Sequence, residues 1–276
     1  MSDFAHLDFR SPIFLLGMPR SGTTWLSQIF ESSPECLVRL SPNYSFPLKN
    51  RLTKDSCLEQ WQEVLRLAAV STDEFLTQNW RRETGELTYF PDALTRDPLR
   101  MAIKDTRYHD VYLSGMELMP QAKAIIIVRH PAAALWSWRS CKEFPRCANF
   151  TQEWRTGLCK KSGVGEYWGF DDWKKLTNLY VQLEMEYPER YKIIRYENLV
   201  NNIQNEVADL FSFSGLHLSR QTILFLQESQ SRHDSRPYSV YKTKQVSNAW
   251  KENFPKHIFS EISNELVGSV LERFIL

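Results

Sequence analysis

Residues 13–26 read Ile13-Phe14-Leu15-Leu16-Gly17-Met18-Pro19-Arg20-Ser21-Gly22-Thr23-Thr24-Trp25-Leu26. The first four are apolar and of strand type, Gly17 turns the chain, and the apolar residues that follow recur at helical spacing to Phe30. This predicts a strand, a tight loop and a helix. Gly17 and Gly22 stand five positions apart, as the two glycines of a Walker A loop do, but Thr23-Thr24 replaces the usual Lys-Ser/Thr. Glycine lets successive N–H groups converge on an anion, and the helix N-terminus behind them adds positive partial charge. Ser21, Thr23 and Thr24 add hydroxyl donors, and Arg20 adds a permanent fork-shaped cation. Together these residues predict a cradle for a terminal phosphate or phosphate-like group. The missing lysine argues against an ordinary ATP or GTP site.

Working outward, Ala124-Ile125-Ile126-Ile127-Val128 is continuous and β-branched, as a parallel strand buried on both faces should be. It ends at Arg129-His130-Pro131, and Ser137 follows Arg129 by eight residues on the next predicted helix. An arginine at a strand end and a hydroxyl on the following helix can converge on one phosphate. Further strands are predicted at 36–38, 101–104 and 191–196, and helices over 57–82 (a second, short one beginning at Thr72 and capped by Ser71 or Thr72) and at 110–119, 132–142, 171–187, 202–215, 219–228 and 256–274. Residues 83–98 read as a long loop or lid, and 143–170 as an irregular insertion. Strands alternating with helices predict an α/β fold: a P-loop-type central parallel sheet with helices on both faces. No internal repeat or shift in composition divides the chain, so residues 1–276 are taken as a single domain.

The phosphate loop resembles that of sulfotransferases that use 3′-phosphoadenosine 5′-phosphosulfate (PAPS), in the form with Arg where many cytosolic members have Lys. Arg129 and Ser137 are similar to that family's 3′-phosphate motif, with His130 where most members carry Asp or Asn. Arg195-Tyr196-Glu197-Asn198-Leu199 resembles the segment whose Tyr lies at the adenine, which implies that Tyr196 borders the nucleotide and that Trp25 stacks on the base. Tyr241 to Lys251 resembles the late basic loop that closes over the 3′-phosphate, a role carried to Lys244. The likeness spans about residues 12 to 260 and lies nearer the carbohydrate and tyrosylprotein branches than the phenol and steroid branch. It implies sulfuryl transfer from PAPS to a hydroxyl of a small-molecule, sugar or lipid acceptor, with no metal.

The family's Lys-Thr-His stretch aligns with Lys104-Asp105-Thr106, so Thr106 stands where the catalytic His should be. His109, three residues on, is the leading candidate base, with an ordinary pKa suited to the task. Asp105, Glu83 and Glu86 are its rivals. Arg20 and Lys104 are expected to stabilise charge. An ATP-dependent phosphotransferase would need the absent lysine. A catalytically inactive nucleotide-binding scaffold is the other alternative.

Composition narrows the rest. Net charge is +1, which gives no support to a nucleic-acid partner. No apolar run approaches the length of a membrane span, and residues 1–11 carry Asp3 and Asp8 without a signal-type apolar core. Five cysteines without CxxC spacing suggest reduced thiols and a cytoplasmic protein.

Overall fold

The protein is described by a computed structural model, which covers residues 4, 7–90, 98–142, 144–161, 163–232, 234 and 250–276. Among the described residues five strands form a sheet: β1 (Ile13–Leu16), β2 (Cys36–Leu40), β3 (Arg100–Asp105), β4 (Lys123–Val128) and β5 (Tyr191–Arg195). Their order is β2-β3-β1-β4-β5, and every pair is parallel. β1 is central, as its four buried apolar residues require.

Side chains alternate across a strand, so each strand supplies both cores. Phe14 and Leu16 of β1, with Ile126 and Val128 of β4, enter one cluster. Ile13 and Leu15, with Ile125 and Ile127, enter the other. A parallel strand with both faces covered has no place for a polar residue, which explains the continuous apolar runs.

The first core is covered by α2 (Leu58–Val70), α5 (His109–Leu118), α6 (Pro131–Arg139), α8 (Gly169–Glu186) and α13 (Lys256–Leu266). The second is covered by α1 (Thr23–Glu31), α9 (Tyr196–Asn201), α10 (Ile203–Ser214) and α11 (Arg220–Ser231). Short helices α3 (Glu74–Thr77), α4 (Asn79–Glu83), α7 (Phe150–Glu153) and α12 (Trp250–Asn253) are also present, with 3-10 turns at Pro42–Tyr44 and Glu272–Phe274.

Several boundaries differ from the sequence reading. The helical stretch expected over 57–82, with its second helix from Thr72, is three helices: the chain is extended at Ser71, Asp73 rather than Ser71 or Thr72 caps the second, and Gln78 is left-handed. Tyr196 begins α9 rather than ending β5, since the pairing with β4 stops at Val128 opposite Arg195. Helix α11 runs on through Ser231, past the predicted stop at 228. The last helix stops at Leu266, where Val267 turns extended and Gly268 takes φ 76°. That break lets Leu271 and Phe274 fold back into the first core.

Part of the expected lid is anchored. In the described part of 83–98, Leu87 and Phe90 are buried in the second core. Thr88 N donates to Gln28 Oε1 at 2.8 Å, and Arg81 pairs with Glu86 at 3.0 Å. Arg82 pairs with Glu31 at the end of α1. Residues 91–97 lie outside the described residues.

α5 meets α2 at Gly115, where a Cβ would lie 2.6 Å from the buried Trp61 ring. Gly115→Ala should therefore destabilise the fold by about 1–3 kcal/mol, an overpacking cost. The check is the urea midpoint, which should fall without a change in the slope.

Candidate functional site

The site is built at the C-terminal ends of β1, β3, β4 and β5, where open α/β sheets place their ligands. The β1–α1 loop comes first. At Gly17 a Cβ would lie 2.6 Å from the Ile127 carbonyl oxygen, so the loop leaves the sheet in contact with β4 backbone. Gly22 takes φ 98° and would press a Cβ to 2.6 Å from the Tyr196 ring. Gly22 is the N-cap of α1 and has no side chain with which to cap that end. The first N–H groups of a helix have no partner within it, so this end stays open to an acceptor.

Arg20 is left-handed at φ 70°, a conformation that costs a residue with a side chain about 1–2 kcal/mol. It is held from two directions. Its Nε donates to Ser137 Oγ at 3.1 Å, and its carbonyl accepts from Arg129 Nη1 at 3.2 Å. The predicted first and second motifs are thus bonded to each other. The third joins them: the Arg129 guanidinium lies 4.6 Å from the Tyr196 ring centroid, and Trp25 meets Tyr196 edge-on at 6.0 Å. Arg129 Nε and Trp25 Nε1 are buried with no hydrogen-bond partner among the described residues.

The structure therefore brings together Arg20, Gly22, Trp25, Arg129, Ser137 and Tyr196 around one helix end. Thr23 and Thr24 open that helix, Thr23 buried and Thr24 half-buried. Ser21 differs from expectation. Its hydroxyl is buried without a partner and lines a small cavity under the loop, not its outer side. Lys244 lies outside the described residues.

Two residues without a predicted role support the site. Trp173 Nε1 donates to the Arg129 carbonyl at 3.0 Å, fixing the turn from which that arginine projects. Glu197 Oε1 accepts from His130 N at 3.0 Å. No sequence signal marks Trp173, whereas Glu197 belongs to the third motif. His130 itself explains the departure from Asp or Asn. Its Nδ1 accepts from Ala132 N at 3.1 Å, so the imidazole caps α6 as a short polar side chain would. Tyr196 and His130 also line a cavity of 590 Å³ that continues past Arg195, Trp250, Lys251 and Phe259.

At the end of β3, Lys104 is half-buried and its pKa is lowered to about 8. Burial is the main cause; Arg81, Arg107 and Arg20 add to it and Asp105 opposes them. The candidate bases are placed differently. Asp105 is fully buried, and its carboxylate accepts from Thr106 N, Arg107 N and Tyr112 Oη at 2.7, 2.9 and 2.8 Å. It builds the turn after β3. Glu86 is paired with Arg81, and Glu83 is exposed.

His109 sits at the start of α5 with 0% exposure. Its Nδ1 lies 2.6 Å from Tyr180 Oη, and its ring packs against Tyr167 and Tyr180. Burial pushes its pKa to about 3, against the opposing effect of the Thr106 carbonyl. The structure does not bring His109 to the surface that holds Arg20 and Arg129. A base must meet the acceptor's proton, and this imidazole is sealed in the core.

The sulfotransferase family matches residues 12–220, and the chain belongs to that family. Mouse sulfotransferase SULT7A1, solved with PAP, is similar in structure: TM-score 0.59 at 17% identity, over 96% of this chain and 88% of that one. A sulfotransferase domain from the curacin biosynthetic pathway has TM-score 0.52 at 19% identity, over 93% and 97% of the two chains. Retinol dehydratase, solved with retinol and PAP, has TM-score 0.52 at 14% identity, over 94% and 82%. No curated protein matches the chain significantly.

His109 and His130 carry a pH consequence. Both are held neutral, with pKa values pushed to about 3 from an ordinary 6.5; for His130 burial leads, followed by Lys251, Arg129 and Arg195. The unfolded chain then binds more protons between those values, so stability is full above about pH 6.5 and falls as pH drops toward 3. The urea midpoint should be lower at pH 5 than at pH 7.5, and His109→Gln should make that decline shallower.

Proposed function

We propose that the protein is a PAPS-dependent sulfotransferase that modifies a hydroxyl and releases adenosine 3′,5′-bisphosphate. The observation that carries this reading is the meeting of Arg20, Arg129, Ser137 and Tyr196 at the uncapped start of α1. The residues fit such a donor. The Gly22 cradle has no room for a Cβ, and Arg129 Nε and Trp25 Nε1 are buried polar atoms without partners among the described residues. The PAP found in the mouse sulfotransferase and retinol dehydratase structures supports the same reading.

In this assignment the donor supplies the sulfuryl group and a bisphosphate leaving group. The amides at the start of α1, with Thr23 and Thr24, hold the 5′ end, and Arg129 with Ser137 holds the 3′-phosphate. Tyr196 and Trp25 border the base. Arg20 meets negative charge that builds on the leaving oxygen, already oriented by Ser137 and so with little reorganisation left at the moment of transfer. Lys104 adds a second cation on the acceptor side. Phosphate-site residues on fixed elements also orient the donor for in-line attack.

The acceptor is a small molecule, sugar or lipid bearing a hydroxyl. Retinol dehydratase is solved with retinol and with androsterone, which supports a small acceptor. Among the described residues no disulfide joins any of the five cysteines, which supports a reducing, cytoplasmic setting.

Titration calorimetry with adenosine 3′,5′-bisphosphate tests the donor site. Metal-independent binding by wild type, weakened at least about tenfold by Arg129→Ala, is expected for loss of a charge-assisted phosphate contact. Preference for ADP with Mg²⁺, or indifference to Arg129, overturns the reading. Lys104 gives a second check. Its pKa of about 8 should rise when an anion arrives beside it, because opposite charge favours the protonated form. Bisphosphate binding at pH 8.5 should therefore take up protons, seen as a binding enthalpy that varies with the buffer's ionisation enthalpy. That dependence should shrink in Lys104→Met.

A further inference from the structure

Beneath the phosphate loop lies a cavity of about 10 Å³. That is the room one water occupies. Gly17, Met18 and Ser21 form its roof, and His109, Thr177 and Tyr180 lie among its other walls. Two polar atoms belonging to its lining residues are buried without a hydrogen-bond partner among the described residues: Ser21 Oγ and His109 Nε2. The remaining lining is mostly apolar, with Ile126, Val128 and Leu176 among it.

A buried donor or acceptor without a partner costs about 1–3 kcal/mol, so two beside one cavity need a common explanation. They come from different elements. Ser21 is in the β1–α1 loop, and His109 opens α5 after β3. The histidine is itself anchored, because its Nδ1 is bonded to Tyr180 Oη on α8. Its ring is also wedged against Tyr167 at 4.9 Å between centroids. With Nδ1 occupied, Nε2 is the end of a rigid imidazole that lacks a well-formed hydrogen bond among the described residues, with the Thr106 carbonyl near the ring. Tyr180 holds its own proton, since burial raises its pKa well above the ordinary value.

We propose that one water is bound between His109 Nε2 and Ser21 Oγ, and that His109 is a positioning residue for the phosphate loop. The chain Tyr180–His109–water–Ser21 then ties the underside of the loop to α8. The upper side is tied by Ser137 and Arg129 through Arg20, so the loop is held on both sides while its amides face the anion. Thr177, on α8, lines the same cavity and offers the water a third polar neighbour. The link to donor binding rests on the functional reading above; the water and its two partners do not. Because His109 does not touch the donor or the acceptor in this arrangement, it acts through Ser21 and sets the loop's geometry.

The experiment compares wild type with Ser21→Ala, His109→Gln, His109→Leu and the double variant Ser21→Ala/His109→Leu. Glutamine keeps a hydrogen-bonding group near the Nε2 position, and leucine does not. Affinity for adenosine 3′,5′-bisphosphate should fall about tenfold in Ser21→Ala and in His109→Leu, the worth of one net hydrogen bond. The double variant should be no weaker than either single, and His109→Gln should recover most of the loss. Multiplying losses in the double variant, or no loss in either single, would overturn the tie. A second measurement needs no ligand: the ¹⁵N shift of His109 Nε2 in the bare protein. It should move in Ser21→Ala. If Nε2 instead bonds the nearby Thr106 carbonyl, the shift will ignore Ser21 and the proposal fails. If wild type does not bind the bisphosphate at all, the sulfotransferase reading fails, and the Nε2 shift still decides the tie.

Discussion

Arg20 is where the motifs of this chain become one site. It occupies a left-handed conformation that a side chain resists, at the apex of the loop between β1 and α1. Two hydrogen bonds from the β4–α6 corner hold it there, one to its carbonyl and one from its guanidinium. Each such bond nets about 1 kcal/mol, so the pair is comparable to the backbone cost it offsets. Arg129 is in turn seated over Tyr196, and Tyr196 packs against the bare face of Gly22. The circuit Gly22–Tyr196–Arg129–Arg20 closes on itself. It joins residues 109 and 117 positions apart along the chain into one cluster at the start of α1.

The two core strands could be read from sequence because burial on both faces leaves a single pattern. Ile13–Leu16 and Lys123–Val128 contribute alternately to the two cores, and no polar residue interrupts the buried run of either. Boundaries set by partners were harder. Tyr196 looks like the end of a strand because it follows Ile193-Ile194-Arg195, yet its neighbour β4 has already ended. Nothing local to Tyr196 encodes that. The break after Leu266 is similar: the apolar spacing continues to Phe274, but the later residues reach the core by a turn at Gly268.

That Arg20, Arg129, Ser137 and Tyr196 would meet was legible in the sequence, and where His109 would point was not, for a reason of side-chain direction. The first motif places glycines, a cation and hydroxyls together on one short loop. The stretch after β3 carries no such constraint. There Asp105 folds the chain back on its own amides, and Tyr108 takes φ 55° before α5 begins. That turn swings His109 into the core, where it meets Tyr180. A sequence places a histidine three residues from a motif; it does not say which way the intervening turn faces. Ser21 shows the same limit within the loop itself, since its hydroxyl points beneath the cradle while its neighbours line it.

A net charge of +1 hides how the charges are distributed. Many acidic groups near the site are engaged by cations or amides: Glu31 with Arg82, Glu86 with Arg81, Glu166 with Arg107, and Glu197 with the His130 amide. The cradle arginines also make neutral contacts. Arg20 Nε meets a hydroxyl, and Arg129 meets a carbonyl and an aromatic face. Neutral partners fix a guanidinium without cancelling its charge, whereas a carboxylate would do both. Where the contact holds a segment in place, as at Arg82 on the end of α1, the partner is an acid. At Arg20 and Arg129 a hydroxyl, a carbonyl and an aromatic face fix the guanidinium groups beside the start of α1. Placement at a helix end, rather than any excess of basic residues, is how a nearly neutral chain sets two permanent cations side by side.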